Sequence, residues 1–409
     1  MAPRSDSGNP DGDCPPVDAP ALQAPRGTPL YVHIPFCLRK CTYCDFFSVA
    51  ADASTDTEAT VAAILAEARR RAPAAPRTVF VGGGTPTFLS EAELEHLFET
   101  LESHTGFRSS AREVTVECNP ESLTAAKARL LRELGVGRLS IGLQSLDPRI
   151  LSLFDRPHTP EQGLAAYRIA REAGFEDVSV DLIYAVPGQS LDAWLAELDS
   201  VLDLSPSHLS AYSLAFEEGT ALTHELETGR LEPLDEDLAL DFFLETRAHL
   251  AARGLSPYEV SNFATPDHQC AHNVNYWRNG EYVGLGPGAV SKLGATRFGN
   301  PRSVSRWRRS VETDSFPASW EETPTALQRL GETWWLGLRT SEGVEPSRAL
   351  ERSGCALDPD PALREARELE SQGLLVRRGG SFSLSPRGLP LADAVSRRFL
   401  QLAPSSVDA

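Results

Sequence analysis

Six short runs of apolar and β-branched residues alternate with longer amphipathic stretches between residues 30 and 214. The runs are typical of strands and the stretches between them of helices. A helix that connects two neighbouring strands makes them parallel, so the alternation predicts an α/β fold, and six units suggest a (β/α)6 barrel that is complete or nearly so. The predicted strands are LYVHI (30–34), TVFVG (78–82), EVTVE (113–117), RLSIGL (138–143), VSVDLIY (178–184) and HLSAYSL (208–214). The predicted connecting helices are 56–71, 90–103, 122–134, 159–173 and 190–204.

The alternation divides the chain into four parts. Residues 1–27 are rich in Pro, Ala, Asp and Gly without periodicity and predict a disordered N-terminal tail. Residues 28–230 hold the six βα units, and residues 231–320, which include HNVNYW, are expected to complete the barrel. Residues 321–402 predict a smaller C-terminal module of the α+β kind, winged-helix-like, with two helices followed by a hairpin.

Charge and hydropathy narrow the classes of function. The formal net charge is -18, from 57 acidic and 39 basic residues, which makes nucleic acid a poor candidate for the partner. We find no apolar run of about 18 residues and no signal-peptide core near the N-terminus, so we expect a cytoplasmic protein.

Three of the seven cysteines form one tight motif in CLRKCTYCDFF. Cys37, Cys41 and Cys44 have C-x3-C-x2-C spacing, which lets one loop wrap three thiolates around a single inorganic centre. The spacing favours a [4Fe-4S] cubane with one open iron. The alternative is zinc, which needs a fourth ligand to close its tetrahedron. The candidates for that ligand lack paired zinc-site spacing: His33, Cys118 and Cys270.

Polar residues follow the predicted strands at their carboxyl ends. They include the cysteine loop, the glycine run GGGTPT (82–87), Glu117, Gln144 and Asp181. In parallel barrels that end holds the active site. We therefore expect these residues to converge, although a strand-end polar residue often only caps the helix that follows it.

The three-cysteine loop after the first strand of such a barrel resembles that of the radical S-adenosylmethionine (SAM) superfamily. The resemblance implies a partial (β/α)6 barrel and a [4Fe-4S] cluster whose open iron is chelated by the amino and carboxylate groups of SAM. It implies cluster ligation by Cys37, Cys41 and Cys44. The cofactor-binding residues that it implies are Tyr31, Tyr43, Gly83, Gly84, Thr85, Glu117, Gln144, Arg156 and Asp181.

A narrower resemblance covers residues 30 to 399 and rests on YVHIPFC, ECNP, IGLQS, DLIYAVPGQ and HNVNYW. These segments are similar to those of the oxygen-independent coproporphyrinogen III oxidase group. True oxidases carry another cysteine two positions after the third cysteine of the motif, where this chain has Phe46. CTYCDF and HNVNYW are typical of the HemW relatives, which are haem chaperones. The resemblance thus implies a protein that transfers haem to acceptor haemoproteins, including membrane-bound respiratory enzymes, with the oxidase as the alternative.

The sequence leaves the axial ligand of haem and the oligomeric state of the protein open. Met1 is the only methionine, so ligation by methionine is nearly excluded. His272 opens HNVNYW, whose Tyr276 and Trp277 could lie against a porphyrin, or it could instead only form hydrogen bonds within its loop. A radical enzyme that modifies tRNA or a protein is a further alternative, and a homodimer is one assembly that the sequence leaves open.

Overall fold

The computed structural model describes residues 17–18, 24–315, 317–356 and 360–402 of the chain. The predicted tail at 1–27 lies for its greater part outside these ranges, so its disorder stays a prediction. Val17–Asp18 form a two-residue strand that pairs with Pro317–Ala318. In the ranges described, no helix has both the length and the apolar character needed to span a bilayer.

A nine-stranded sheet organises the larger part of the chain. Its strands are β1 (Leu30–Ile34), β2 (Thr78–Gly83), β3 (Glu113–Cys118), β4 (Arg138–Gln144), β5 (Asp177–Tyr184), β6 (His208–Ser213), β7 (Ser256–Pro257), β8 (Asn262–Ala264) and β9 (Val283–Leu285). The spatial order is β9-β1-β2-β3-β4-β5-β6-β8-β7, parallel from β9 to β6 and antiparallel beyond. All six predicted strands are confirmed, and the 231–320 region adds strands at both edges.

Helices connect the strands and confirm the βα alternation. They are α1 (Thr57–Arg71), α2 (Glu91–Thr105), α3 (Phe107–Ser110), α4 (Ala125–Glu133), α5 (Pro148–Leu153), α6 (Pro160–Glu172), α7 (Leu191–Leu202), α8 (Ala221–Glu227), α9 (Glu236–Ala252), α10 (Ala271–Trp277) and α11 (Val304–Glu312). Helix α2 begins with a capping box between Ser90 and Glu93. The short helices α3, α5, α8, α10 and α11 were not predicted. Helix α10 has no side-chain cap at its start and so lacks the usual sequence signal.

The strands have one apolar and one polar face because successive side chains point to opposite sides. Val79 and Val81 of β2 are fully buried in the large core that the sheet forms with its helices. The other face carries polar side chains that are also buried, such as Thr115 and Ser179, and the half-buried Ser140. We call it the inner face.

The C-terminal module has its own core. It contains α12 (Ala326–Gly337), α13 (Pro346–Ser353), α14 (Pro361–Ser371) and α15 (Ala392–Arg397). Between the two parts lie β10 (Val290–Leu293), β11 (Thr296–Gly299) and β12 (Trp320–Glu322), and the hairpin of β13 (Leu375–Arg378) and β14 (Ser381–Leu384) lies between α14 and α15. Trp334 stacks on Phe399 with ring centroids 4.8 Å apart, and Phe382 packs beside it. The predicted α/β fold with a smaller α+β module is confirmed, but the module has four helices where two were predicted, and one of them follows the hairpin.

A buried carboxylate joins α1 to the chain after β9. Glu67 is fully buried and accepts hydrogen bonds from Arg71 at 2.6 Å, the Gly286 amide at 2.8 Å, Asn300 at 2.9 Å and Trp307 at 3.2 Å. Because each carboxylate oxygen accepts from two donors, its charge is well compensated. These bonds link helix α1, the end of β9 and helix α11.

We predict that Glu67→Gln destabilises the protein while preserving the size of the side chain. Its amide nitrogen would face donors and leave at least one of them unsatisfied, which costs about 2 kcal/mol of unfolding free energy. Urea unfolding followed by tryptophan fluorescence measures this, since Trp307 is a partner of Glu67.

The matched control is Glu93→Gln. Glutamine also serves at the third position of a capping box, so the unfolding free energy should change by less than about 0.5 kcal/mol. Equal losses in the two variants would contradict the role assigned to Glu67.

Candidate functional site: the cysteine loop and the inner face

The loop that carries the three cysteines is anchored to the end of α5. Thr42 donates from its amide to the Phe154 carbonyl at 3.2 Å and from its hydroxyl to the Leu153 carbonyl at 2.8 Å. The Tyr43 ring meets the Phe154 ring edge-on at 4.7 Å. Tyr43, a predicted cofactor contact, thus also holds the loop in place through apolar packing.

A chain of hydrogen bonds connects two of the cysteines across the strand ends. Arg156 donates to the Cys41 sulfur at 3.4 Å and to Asn119 Oδ1 at 2.9 Å. The amide of Asn119 donates to Thr85 Oγ1 at 2.8 Å, and Thr85 Oγ1 donates to the Cys37 sulfur at 3.5 Å. The structure therefore brings together the predicted residues Cys37, Cys41, Thr85 and Arg156. Asn119 was missed, although it lies in the quoted ECNP segment.

The Cys37 and Cys44 thiols are protonated at neutral pH. Burial raises the pKa of Cys37 to about 11, although the hydrogen bond from Thr85 lowers it, and burial also raises the pKa of Cys44. Binding of a metal centre would therefore release protons from these thiols.

The arrangement fits a cluster better than a single ion. Among the described residues, no three His, Cys, Asp or Glu side chains converge closely enough to hold one metal ion. A zinc site requires that convergence, whereas in a cubane each thiolate binds a different iron. The three cysteines are partly exposed on one loop, and the Arg156 and Thr85 side chains supply hydrogen bonds to sulfur. The described residues contain no set of side chains that could coordinate a zinc ion.

The glycine run packs against the chain itself. Gly83 has φ +109°, and a Cβ there would lie 2.3 Å from His33 Nδ1. A Cβ on Gly84 would lie 2.7 Å from the Phe36 carbonyl. The Gly83 amide donates to Glu117 Oε2 at 2.9 Å. Glycine at 83 and 84 is therefore needed for close packing on the end of β1, and glycine at 82 for close packing on Glu117.

Two carboxylates, Glu117 and Asp181, lie largely shielded from solvent on the inner face. Burial raises the pKa of Glu117 to about 7, with Asp181 adding to the rise and the Gly83 amide opposing it. Burial also raises the pKa of Asp181, which accepts from Ser140 at 3.0 Å and Ser179 at 3.3 Å. Asp181 is held by neighbouring hydroxyls, whereas Glu117 has one backbone donor.

Two further predicted cofactor contacts lie on strands of the same sheet: Gln144 is the last residue of β4, and Tyr31 lies in β1. Gln144 has φ +66° where the register between β4 and β5 shifts, and its side chain lies against Gly142. Tyr31 OH is 2.9 Å from His33 Nδ1, and His33 Nε2 is 2.8 Å from the Phe47 carbonyl. Burial lowers the pKa of His33 to about 4, so this ring is neutral.

His272 lies inside the molecule on α10. Its ring is 1% exposed, with Nδ1 2.8 Å from Thr78 Oγ1 and Nε2 3.0 Å from Tyr276 OH. Burial lowers its pKa to about 3, so the ring is neutral. Both ring nitrogens are engaged, and ligation of haem by His272 stays a prediction.

Comparisons with known proteins agree with this architecture. Residues 31–201 match the radical SAM superfamily, and residues 325–391 match the HemN C-terminal domain. A protein of Mycobacterium tuberculosis (strain ATCC 25618 / H37Rv), named "Heme chaperone HemW", is 35% identical over 394 residues, which cover 94% of this chain and 98% of that protein. The chain belongs to the HemW family of the radical SAM superfamily.

Other HemW relatives give the same result. The "Heme chaperone HemW" of Bacillus subtilis (strain 168) is 32% identical and covers 90% of this chain and 98% of its own length. The crystal structure of coproporphyrinogen III oxidase (HemN) from Escherichia coli superposes with a TM-score of 0.80 at 23% identity, over 93% of this chain and 91% of that one. HemW and HemN therefore share this fold, and the sequence similarity favours the chaperone family over the oxidase.

We predict that Gly83→Ala is far more destabilising than Gly174→Ala. Both glycines have positive φ, at +109° and +88°, so both substitutions incur backbone strain of about 1–2 kcal/mol. Only at Gly83 does the new Cβ collide with a neighbour; at Gly174 it meets nothing within 4 Å. Urea unfolding should show an additional loss of about 1–3 kcal/mol for Gly83→Ala, and equal losses would contradict this packing.

We also predict a pH-dependent stability difference between the wild type and Glu117→Gln. The raised pKa means that the folded chain binds the Glu117 proton more tightly than the unfolded chain does. The resulting contribution to the free energy of unfolding is present below pH 4.5 and is lost as pH rises through about 7. The wild type should lose on the order of 2–3 kcal/mol relative to the variant over that range. Urea unfolding at a series of pH values measures it.

The control is Glu99→Gln, because the hydrogen bond from Arg108 lowers the pKa of Glu99. The contribution of Glu99 to the free energy of unfolding should be lost as pH falls, whereas that of Glu117 is lost as pH rises. A difference for Glu117→Gln that does not change with pH would show that Glu117 titrates normally.

Proposed function

We propose that this protein binds haem and transfers it to acceptor haemoproteins, among them membrane-bound respiratory enzymes. Membership of the HemW family supports the proposal, because its relatives are named haem chaperones. The observation that carries it is an aromatic cleft beside the cysteine loop. Phe46, which replaces the oxidase-type cysteine, is 71% exposed at its edge.

The aromatic cleft has a volume of about 420 Å³ and suits a flat apolar ring with charged substituents. Its aromatic lining residues are Tyr31, Phe46, Phe47, Tyr276, Tyr282 and Trp320. Trp320 is 43% exposed, so two large apolar side chains face solvent here. Arg302 also lines the cleft and supplies a cation for a propionate.

His272 lies directly behind one wall of this cleft. Tyr276 lines the cleft and its hydroxyl holds His272 Nε2, while Thr78 holds Nδ1 from the other side. We infer that displacement of Tyr276 would open Nε2 to the cleft. Thr78 would then fix the ring orientation, as hydrogen bonds to the second nitrogen do for other metal-bound histidines.

Cluster and SAM occupy the carboxyl ends of the strands in this proposal. Cys37, Cys41 and Cys44 would hold the [4Fe-4S] cluster. The cluster and SAM together would supply one-electron chemistry. Arg156 and Thr85 would hydrogen-bond cysteine sulfur, and Glu117 and Asp181 would face the bound SAM. The remaining proposed SAM contacts are Tyr31, Tyr43, Gly83, Gly84 and Gln144.

We predict distinct effects of three substitutions on haem binding. Tyr276→Phe removes the hydroxyl that occupies His272 Nε2 and should tighten haem binding several-fold. His272→Ala should change the Soret spectrum of the bound haem, because it removes the ligand. Phe46→Ala should weaken binding about tenfold without changing the spectrum, since it removes only apolar contact area. Anaerobic haem titration followed by absorption spectroscopy measures all three.

Leu391→Ala is the control, because Leu391 is an exposed apolar residue, at 49%, in the C-terminal module. It should leave haem affinity unchanged. An unchanged spectrum in His272→Ala would exclude His272 as the ligand, and unchanged affinity in Phe46→Ala would exclude the aromatic cleft.

A separate assay decides between chaperone and oxidase. The reconstituted, reduced protein incubated with coproporphyrinogen III and SAM should form no protoporphyrinogen, and haem should pass from it to an apo-haemoprotein. Turnover without haem transfer would establish the oxidase alternative. Iron and labile sulfide should each reach about four per chain and fall when Cys41 is replaced by serine.

A further inference from the structure

A second cleft, of about 740 Å³, lies between the amino-terminal ends of the strands and the C-terminal module. Thr78 at the start of β2 lines one side, and Thr333 of α12 and Ser353 of α13 line the other. Six of its lining side chains are cationic and two are acidic, in a chain with a net charge of -18. We call it the basic cleft; its cations are Arg77, Arg112, Arg278, Lys292, Arg329 and Arg352.

Most of these cations lack a carboxylate partner. Arg278 forms an ion pair with Glu342 at 2.7 Å. Arg329 donates to the carbonyls of Pro324 and Ser353, and Arg352 donates to the carbonyl of Arg278. Neutral carbonyls satisfy the N–H groups but leave the charges uncompensated.

Arg77 and Arg112 precede β2 and β3 and form the barrel side of the basic cleft. Their side chains have no hydrogen bond or ion pair with any part of the chain that the structure describes. They are therefore available to a ligand without the loss of an existing contact.

Lys292 is the buried cation of the group, at 6% exposure. Its ammonium donates to the carbonyl and to the side-chain oxygen of Asn279, both uncharged. Burial lowers its pKa to about 8. A buried ammonium without a bonded carboxylate is costly unless a counter-charge compensates it.

We propose that the basic cleft binds a compact anion that carries two or more linked phosphate groups. Guanidinium groups match phosphate oxygens bidentately, and lysine contributes a point charge. Among the described lining residues none is aromatic, so the cleft offers no ring on which a nucleobase could stack. The site therefore recognises the phosphates themselves.

Such an anion would connect the two parts of the protein. Arg77 and Arg112 approach it from the barrel, and Arg329 and Arg352 approach it from the C-terminal module. A ligand that binds only when the barrel and the C-terminal module are folded and in contact stabilises that state of the protein. Phosphate binding should therefore raise the melting temperature of the protein.

The test is calorimetric titration of the full chain with tripolyphosphate, in EDTA and at fixed ionic strength. We expect saturable one-to-one binding and a higher melting temperature. Citrate, which also carries several anionic groups, should bind at least tenfold more weakly, and ATP should bind no more tightly than tripolyphosphate. Tighter binding of citrate would overturn the phosphate assignment, and no saturable binding below millimolar tripolyphosphate would overturn the site.

The double variant Arg77→Gln, Arg112→Gln should lower tripolyphosphate affinity at least tenfold, and its fold should be preserved because neither side chain has a hydrogen bond or ion pair with the described chain. The control Arg149→Gln, Arg230→Gln removes the same charge outside the basic cleft, from arginines paired with Asp147 and Glu225. Equal weakening in both double variants would show that only net charge matters. Haem binding by the aromatic cleft does not enter this test, so the two proposals can fail separately.

Discussion

The parallel strands β1 to β6 carry two buried faces, and this constraint organises the molecule. A parallel sheet covered on both sides must bury whatever its strands present. One face packs with the helices through residues such as Val79 and Val81. The other face buries serines, Glu117 and Asp181, which would be unfavourable if these groups lacked hydrogen bonds. Asp181 has hydroxyl donors, Glu117 has the Gly83 amide, and burial still raises the pKa of both. The fold thus concentrates polar groups at the end of the sheet where the cysteine loop lies.

The cysteine loop depends on contacts that come from distant parts of the chain. Arg156, which follows α5, reaches Cys41 and Asn119, and Asn119 reaches Thr85 after β2. The glycines of β2 allow the same strand end to approach His33 and Glu117 without a Cβ between them. Residues that resemble SAM-contacting positions therefore also position the loop. A single residue such as Thr85 combines both tasks, because its hydroxyl lies between Asn119 and a cysteine sulfur.

The two clefts give the molecule two chemically different surfaces. The aromatic cleft beside Phe46 is lined mainly by aromatic rings, with Asp45, Asn300 and Arg302 among its polar residues. The basic cleft at the opposite ends of the strands is cationic and contains no aromatic ring among its described lining residues. Helix α10 connects them structurally: Tyr276 lines the first, and Val274 and Arg278 line the second. The proposed haem site and the proposed anion site therefore lie on separate surfaces. Both clefts take part of their lining from the 231–320 region, which lies between the barrel strands and the C-terminal module.

The sequence by itself determined the strand and helix alternation, the three cysteines, the family and most residues at the strand ends, because periodicity and motif spacing are local. Asn119, a link in the hydrogen-bond chain, lies in a recognised segment but carried no local sign of its role. The sequence did not predict that His272 lies on a helix. It also could not predict that both ring nitrogens of His272 form hydrogen bonds, since one partner, Thr78, is 194 positions away in the chain. The same holds for the basic cleft, whose arginines are scattered from residue 77 to residue 352. Only the tertiary structure decided these features, because they depend on distances between elements that the local sequence does not encode.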